Sequence, residues 1–154
     1  MMCQRLDKVF FRIIVANTPL ISIDLIVKND HGRVLLGKRV NKPAQGYWFV
    51  PGRRIFKGES FQSAFISVCN EELGIAIDIR NSRFLGVYEH FYENNFSGED
   101  FSTHYIVHGY EININSKFLS QPLIQYECFQ WMSVSDLLSS DAVHQYTKNY
   151  FITR

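Results

Sequence analysis

The sequence predicts a layered domain of the α/β or α+β class. Three observations support this fold class. Apolar residues recur at helical spacing in 5–17 and 61–73, they form strand-like runs in 20–39 and 84–112, and turn residues separate these segments. With 154 residues, of which 46% are apolar, the chain is expected to fold as one domain covering 1–154.

The elements follow one another along the chain with recognisable ends. Residues 5–17 predict a helix, and the segments LISIDLIVKN and RVLLGKR around a DHG turn predict a pair of strands. YWFVPG predicts a strand that Pro51 stops, followed by a glycine turn and a short loop. Ser60 and Gly74 predict the start and end of the next helix. Three further strands and two helical segments, the first capped by Ser133, are predicted at 84–93, 104–112, 126–132, 133–140 and 141–151.

Composition and charge exclude several classes of protein. A formal net charge of +1 without a basic run argues against nucleic acid as a partner, although a small anionic ligand remains compatible. No stretch approaches the roughly 20 apolar residues that span a bilayer, so we expect a cytosolic protein without a membrane anchor. Cys3, Cys69 and Cys128 are too widely spaced for a zinc pattern, and buried reduced thiols are expected.

The candidate chemistry lies in PGRRIFKGESFQSAFISVCNEELG, residues 51–74. Magnesium takes oxygen ligands and uses one or two carboxylates together with phosphate and water oxygens. Glu72 offers such a carboxylate, and the carbonyl group of Gly52 offers a second oxygen. Arg53 and Arg54, directly after that glycine, are suited to neutralise phosphate charge. The alternative interpretation is that the two glutamates form a solvated helix end.

The same segment resembles the signature of the Nudix hydrolases. That signature places a glycine, a glutamate, an arginine-glutamate pair, two adjacent glutamates and a final glycine at fixed intervals, and Glu59, Glu71, Glu72 and Gly74 match it. The first glycine, the arginine and the glutamate that follows the arginine are replaced by Arg53, Ser67 and Val68. Loss of the last of these is a feature of one Nudix subfamily, the GDP-mannose mannosyl hydrolases.

The wider sequence is similar to that subfamily in three segments, in order and with the expected spacing. They are GKRVNKPAQGYWFVPG (37–52), HFYENNFSGEDFSTHY (90–105) and SSDAVHQYTKNYF (139–151). The resemblance implies a mixed β-sheet between helices, a homodimer, and Mg²⁺-dependent hydrolysis of GDP-mannose to GDP and mannose. In that subfamily water attacks the sugar C1 carbon with inversion, and the diphosphate departs intact.

The resemblance also implies roles for individual residues. Gly52 through its carbonyl, Glu72 and Gln125 correspond to magnesium ligands. The remaining matched positions contact the substrate or stabilise the leaving group: Arg39 and Arg54 at the diphosphate, Asp24, His90 and Tyr105 around the leaving group or sugar, and Phe11 as a further substrate contact. Each residue also has an ordinary structural interpretation: a strand-end cation for Arg39, an outward-facing polar residue for Asp24, a core aromatic for Tyr105 and a satisfied structural group for His90.

Two departures from the subfamily concern catalysis. Its water-activating histidine is replaced by Tyr126, whose phenol, with an ordinary pKa of about 10, is a poor base at neutral pH. Its arginine at the position of Ser67 is missing, so we expect Glu59 to lack its partner. Arg53 is expected either to replace that charge from the loop side or to obstruct the path of the phosphate.

Two hypotheses of different class follow. One is a magnesium-dependent GDP-sugar hydrolase of reduced activity, with Tyr126 at the position of the base. The other is a catalytically impaired protein that binds a nucleotide sugar or persists as a dimeric scaffold. Attack at phosphorus, as in ordinary Nudix pyrophosphatases, is less favoured because Val68 removes a carboxylate. The N-terminal segment, apolar over 9–15, is expected to contribute to the site of the partner in a homodimer.

Overall fold

The computed structural model describes residues 5–115 and 126–152. Its helices and strands agree with the predicted segments, apart from one strand described below. In chain order they are α1 (Lys8–Asn17), β1 (Leu20–Lys28), β2 (Val34–Arg39), β3 (Trp48–Phe49), β4 (Gly52–Arg54), α2 (Phe61–Leu73), β5 (Arg83–Tyr92), β6 (Thr103–Asn113), β7 (Tyr126–Met132), α3 (Val134–Ser139) and α4 (Gln145–Lys148), with short 3-10 helices at Ile79–Asn81 and Asn149–Phe151.

The ends of α2 confirm the predicted boundaries. The hydroxyl of Ser60 accepts a hydrogen bond from the Ser63 amide at 3.1 Å, which satisfies one of the unpaired amides of the first turn. At the other end Gly74 adopts a left-handed conformation with φ 74°, where a side chain would be strained. Ser133 caps α3 in the same way as Ser60 caps α2.

The strands of the described residues form one mixed sheet in the order β3-β2-β1-β6-β5, with β4 paired to β1 and β7 paired to β2. β1 runs parallel to β6 and antiparallel to β2 and β4. The predicted hairpin of β1 and β2 is confirmed by their antiparallel pairing.

The central strand β1 separates two apolar layers because successive side chains point to opposite faces. Ile23, Leu25 and Val27 pack against α2, whereas Ile26 packs with residues of the C-terminal segment, among them Tyr150. The sheet therefore lies between α2 and the C-terminal helices. This arrangement confirms the α+β class.

Two predictions about local structure are wrong. Gly52–Arg54, predicted as a turn and loop, is strand β4, which three residues of low strand propensity did not reveal. Cys128 is exposed rather than buried. Cys69 is buried, and that burial raises its thiol pKa to about 12; Cys3 lies outside the described residues.

Within 5–115 and 126–152, no helix has the length and hydropathy needed to cross a membrane.

Candidate functional site

Strand β4 organises the site by directing alternate residues to opposite faces of the sheet. Its residues pair with β1 in the register Asp24↔Gly52, with Arg53 and Arg54 opposite the two preceding residues. Arg54 lies on the same face as Asp24, whereas Arg53 lies on the face that packs against α2. Both side chains nevertheless line the cavity described below.

Gly52 lies so close to β1 that a side chain would not fit. A Cβ atom there would be 2.3 Å from Asp24 Oδ1 and 2.5 Å from the carbonyl oxygen of Ile23. The Leu25 amide donates to the Pro51 carbonyl at 2.8 Å, and the Ile55 amide donates to the Ile21 carbonyl at 2.7 Å. Because hydrogen-bonded and non-hydrogen-bonded pairs alternate along antiparallel strands, Asp24 and Gly52 form a non-hydrogen-bonded pair. The backbone groups of Gly52, its carbonyl among them, therefore point away from β1.

A cavity of about 350 Å³ brings seven of the predicted site residues together. It lies beside β1 and β4 and is lined on one side by Phe11 of α1 and by Arg5 and Leu6, which precede that helix. The seven are Phe11, Asp24, Arg39, Gly52, Arg54, His90 and Tyr105. These residues span 95 positions of the sequence, counted from 11 to 105, so only the fold places them around one space.

Asp24 is buried, and the alternative that it faces outward is wrong. Its side chain accepts a hydrogen bond from the Tyr150 hydroxyl at 2.6 Å. Burial raises the pKa of Asp24 from 3.8 to about 7, against the lowering effects of that hydrogen bond and of the Arg39 charge. The carboxyl group can therefore hold or release a proton near neutral pH.

His90 is held as a neutral imidazole in the cavity wall. The ring stacks on Tyr146 with a centroid distance of 4.3 Å and an interplanar angle of 4°. Burial, assisted by the charge of His144, lowers the pKa of His90 to about 3. Burial also raises the pKa of Tyr105, so its phenol stays protonated. These two groups offer uncharged hydrogen-bonding atoms to a ligand.

Four arginines line the cavity, namely Arg5, Arg39, Arg53 and Arg54. Two of them, Arg54 and Arg39, are held by neighbouring aromatic and backbone groups. Arg54 lies between two aromatic rings, with its Cζ 4.6 Å from the centroid of Phe11 and 4.5 Å from that of Phe56. Arg39 lies over Phe49, and its Nε donates to the carbonyl oxygen of Pro43 at 2.9 Å. Fixed planar cations of this kind suit the oxygens of a diphosphate.

The expectation that Glu59 lacks a partner is wrong. Arg53 donates to both of its carboxylate oxygens, at 3.1 and 3.2 Å, and its Nε donates to Glu71 at 3.0 Å. The Glu59 carboxylate also accepts from the Phe56 amide at 2.8 Å. Although partial burial opposes the change, these hydrogen bonds lower the pKa of Glu59. Arg53 thus replaces the charge missing at Ser67 from the strand side.

The described donors of the predicted metal site are hard oxygen atoms, which suits Mg²⁺. Glu72 is 6% exposed on α2, a helix that contacts β4, where Gly52 lies. The third predicted ligand, Gln125, lies outside the described residues, as does the side chain of Tyr126, whose backbone pairs with Arg39. Across 5–115 and 126–152 no group of three or more His, Cys, Asp and Glu side chains is arranged to hold a metal ion; the predicted set contains one carboxylate.

Several residues of the site were not predicted from the sequence. Tyr150 holds Asp24 from 126 positions away, and Tyr146 supports His90. Both lie in the segment 139–151, whose resemblance to the subfamily was the one signal pointing to them. Phe56 and Tyr92 also line the cavity, and they lie in the segments 51–74 and 90–105, which the sequence singled out without naming these two residues.

Comparisons with known proteins agree with this fold. The chain is 45% identical over 103 residues to the low-salt glycan biosynthesis protein Agl8 of Haloferax volcanii, covering 66% of this chain and 64% of that protein. It is 33% identical over 70 residues to an ADP-ribose pyrophosphatase of Methanocaldococcus jannaschii, covering 46% of this chain and 40% of that enzyme. Each match thus spans less than two thirds of the relative.

A solved structure of a MutT protein from Methanosarcina mazei Go1 shares the fold. Its TM-score is 0.69 at 18% identity, with 88% of this chain and 92% of that chain covered. The model of the NUDIX domain family matches residues 18–152, which include the sheet, α2 and the C-terminal helices. The chain therefore belongs to the NUDIX domain family and has its mixed α+β fold.

Proposed function

We propose that this NUDIX hydrolase acts on GDP-mannose or a related GDP-hexose and releases GDP and the free sugar. The observation that carries the proposal is the grouping of Arg39 and Arg54 with the buried Asp24 and His90 around one cavity. Two cations suit the diphosphate, and neutral or protonatable groups suit the sugar and its bridging oxygen. The name of the Haloferax relative, a glycan biosynthesis protein, supports an activated sugar as the substrate class.

The side chains divide the work between binding and charge stabilisation. Arg39 and Arg54 hold the diphosphate and stabilise the negative charge that develops on it as the bond to sugar C1 breaks. His90 and Tyr105 orient the substrate by neutral hydrogen bonds, and Asp24 exchanges a proton near neutral pH. Mg²⁺, held by Gly52, Glu72 and Gln125, would supply further charge neutralisation at the phosphates. Slow turnover is expected because Tyr126 stands at the position of the base.

Proton NMR of GDP-mannose mixed with the protein and Mg²⁺ tests the proposal, because it identifies the products and the anomer together. Hydrolysis at carbon with inversion gives GDP and β-mannose as the first sugar. Mannose 1-phosphate with GMP would instead show attack at phosphorus, the chemistry suggested by the name of the Methanocaldococcus relative. Binding without cleavage would favour the second hypothesis, a catalytically impaired nucleotide-sugar-binding protein.

Tyr126→His is expected to raise the rate of GDP-mannose hydrolysis about tenfold or more, because an imidazole titrates near neutral pH. The backbone of this position pairs with that of Arg39, which lines the cavity. The rate should rise with a titration between about pH 6 and 8. Tyr47→His, at an exposed tyrosine, is the matched control and should leave the rate unchanged. Preserved binding without any gain in rate would count against the assignment of position 126.

A homodimer is part of the proposal. α1 exposes Val9, Phe10 and Ile13, while Phe11 from the same helix lines the cavity of its own chain. A second copy that covers this exposed apolar face would bring the N-terminal segment close to the partner's site. Light scattering should give about twice the mass of 18.0 kDa, and Phe10→Lys should halve it. A monomeric mass for the wild type at micromolar concentration would rule out the dimer. The cytoplasmic location and the single domain over 1–154 stay predictions.

A further inference from the structure

Arg53 is the centre of a partly buried ion network between β4 and α2, in which the Glu71 side chain is 45% exposed. The Arg53 side chain is 10% exposed, and that of its main partner Glu59 is 5% exposed. The guanidinium uses both oxygens of Glu59, one oxygen of Glu71 and the carbonyl oxygen of Arg54, and its Cζ lies 4.5 Å from the Phe56 ring centroid. So many contacts to one guanidinium leave it a single orientation.

The network joins two segments that carry proposed metal ligands. Arg53 directly follows Gly52 on β4, and Glu71 directly precedes Glu72 on α2. The contact of 3.0 Å between Arg53 and Glu71 therefore ties strand to helix at the positions next to both ligands. Metal sites depend on such outer contacts because the ligand oxygens must be held at fixed separations.

We propose that Arg53 is a positioning residue for the metal and diphosphate site. Its contacts fix β4 and α2 relative to each other at the residues next to Gly52 and Glu72, which would hold Mg²⁺, and they neutralise Glu59 and Glu71. This inference rests on the proposed function. It assigns no contact between Arg53 and the substrate.

Position 67 offers a direct test of this role. Ser67 lies one helical turn before Glu71 on the same face of α2, so an arginine there would approach Glu71 from the helix side. Arg53→Gly removes the network, and Ser67→Arg in the same variant returns a guanidinium to it by another route. Arg53→Lys keeps the charge but loses the two-pronged geometry. Arg83→Gly, which removes an exposed ion pair with Glu111, is the matched control.

The readouts are the affinity for GDP with and without Mg²⁺, measured by calorimetry, and the fold, measured by circular dichroism. Arg53→Gly is expected to weaken Mg²⁺-dependent GDP binding by about tenfold or more, as losses of outer metal-site contacts do, and to leave binding without Mg²⁺ unchanged. Ser67→Arg in that background should recover most of the loss. Arg53→Lys should fall between these, and Arg83→Gly should match the wild type.

Three results would overturn the proposal: wild-type affinity in a folded Arg53→Gly variant, an equal loss with and without Mg²⁺, or no recovery by Ser67→Arg. If Arg53→Gly does not fold, Arg53→Lys decides, since wild-type Mg²⁺ dependence in that variant would also overturn it. A wild-type protein whose GDP affinity ignores Mg²⁺ would instead refute the metal site of the proposed function. The wild-type measurement therefore tests the metal site separately from the role of Arg53.

Discussion

Glu72→Gln is expected to remove the Mg²⁺-dependent part of GDP binding. The expected loss is at least about a hundredfold, because changes in outer contacts alone cost about 10- to 100-fold in metal affinity and this change removes a ligand charge. Glu72 is buried on α2 and is the one carboxylate of the predicted ligand set. Without it the metal would have neutral protein oxygens and the phosphates of the nucleotide alone.

Calorimetry of GDP binding, with and without Mg²⁺, measures this effect in each protein. Glu89→Gln, the same chemical change at an exposed position of β5, serves as the control and should retain wild-type affinity. Unchanged affinity in Glu72→Gln would remove the metal-site assignment.

His90 is expected to make the fold sensitive to acid. In the folded protein its pKa is lowered from 6.5 to about 3, so below about pH 6.5 the unfolded chain binds a proton that the folded chain does not. The free energy of unfolding therefore falls with decreasing pH, from about 6.5 down to about 3, by up to about 1.4 kcal/mol for each pH unit. At about pH 4.5 the accumulated loss approaches 3 kcal/mol.

Denaturant unfolding of wild type and His90→Gln over this range isolates the contribution. The variant should lose less stability on acidification. Asp24 acts with the opposite sign, since its raised pKa favours the folded state at low pH and this advantage fades between about 3.8 and 7. It is present in both proteins, so it does not account for the difference. His31→Gln, whose parent side chain is 78% exposed, should follow the wild type. Parallel curves for wild type and His90→Gln would contradict the expectation.

The fold was largely predictable because local signals marked the ends of its elements. Ser60, Gly74 and Ser133 act as caps through backbone geometry that depends on neighbouring residues alone. Strand β4 escaped prediction because three residues cannot establish a period of two, and arginine gives no strand preference. Its existence depends on pairing with β1, which lies about 30 residues earlier.

The candidate site was predictable in its residue types but not in its contacts. Resemblance supplied Asp24, Arg39 and His90, which the cavity brings together. The hydrogen bond from Tyr150 and the burial that shifts the pKa of Asp24 arise from packing between distant segments, so no local pattern encodes them. Whether Arg53 replaces the charge missing at Ser67 was left open by the sequence, because its ion pair with Glu59 is made from a strand rather than from the helix that carries the signature.

The two faces of β4 bear on how the motif of such a protein changes during evolution. Arg53 and Arg54 are adjacent in sequence and both line the cavity, each with its Cζ 4.5 Å from the Phe56 ring centroid, but Arg53 is the one that pairs with Glu59. A comparison that scores each motif position independently counts Arg53 and Ser67 as two defects. If the charges around Glu59 are considered together, the two differences compensate each other, because Arg53 supplies the positive charge that position 67 lacks. Whether such a motif is retained should therefore be judged from pairs of positions that face each other across α2 and β4, and not from single positions.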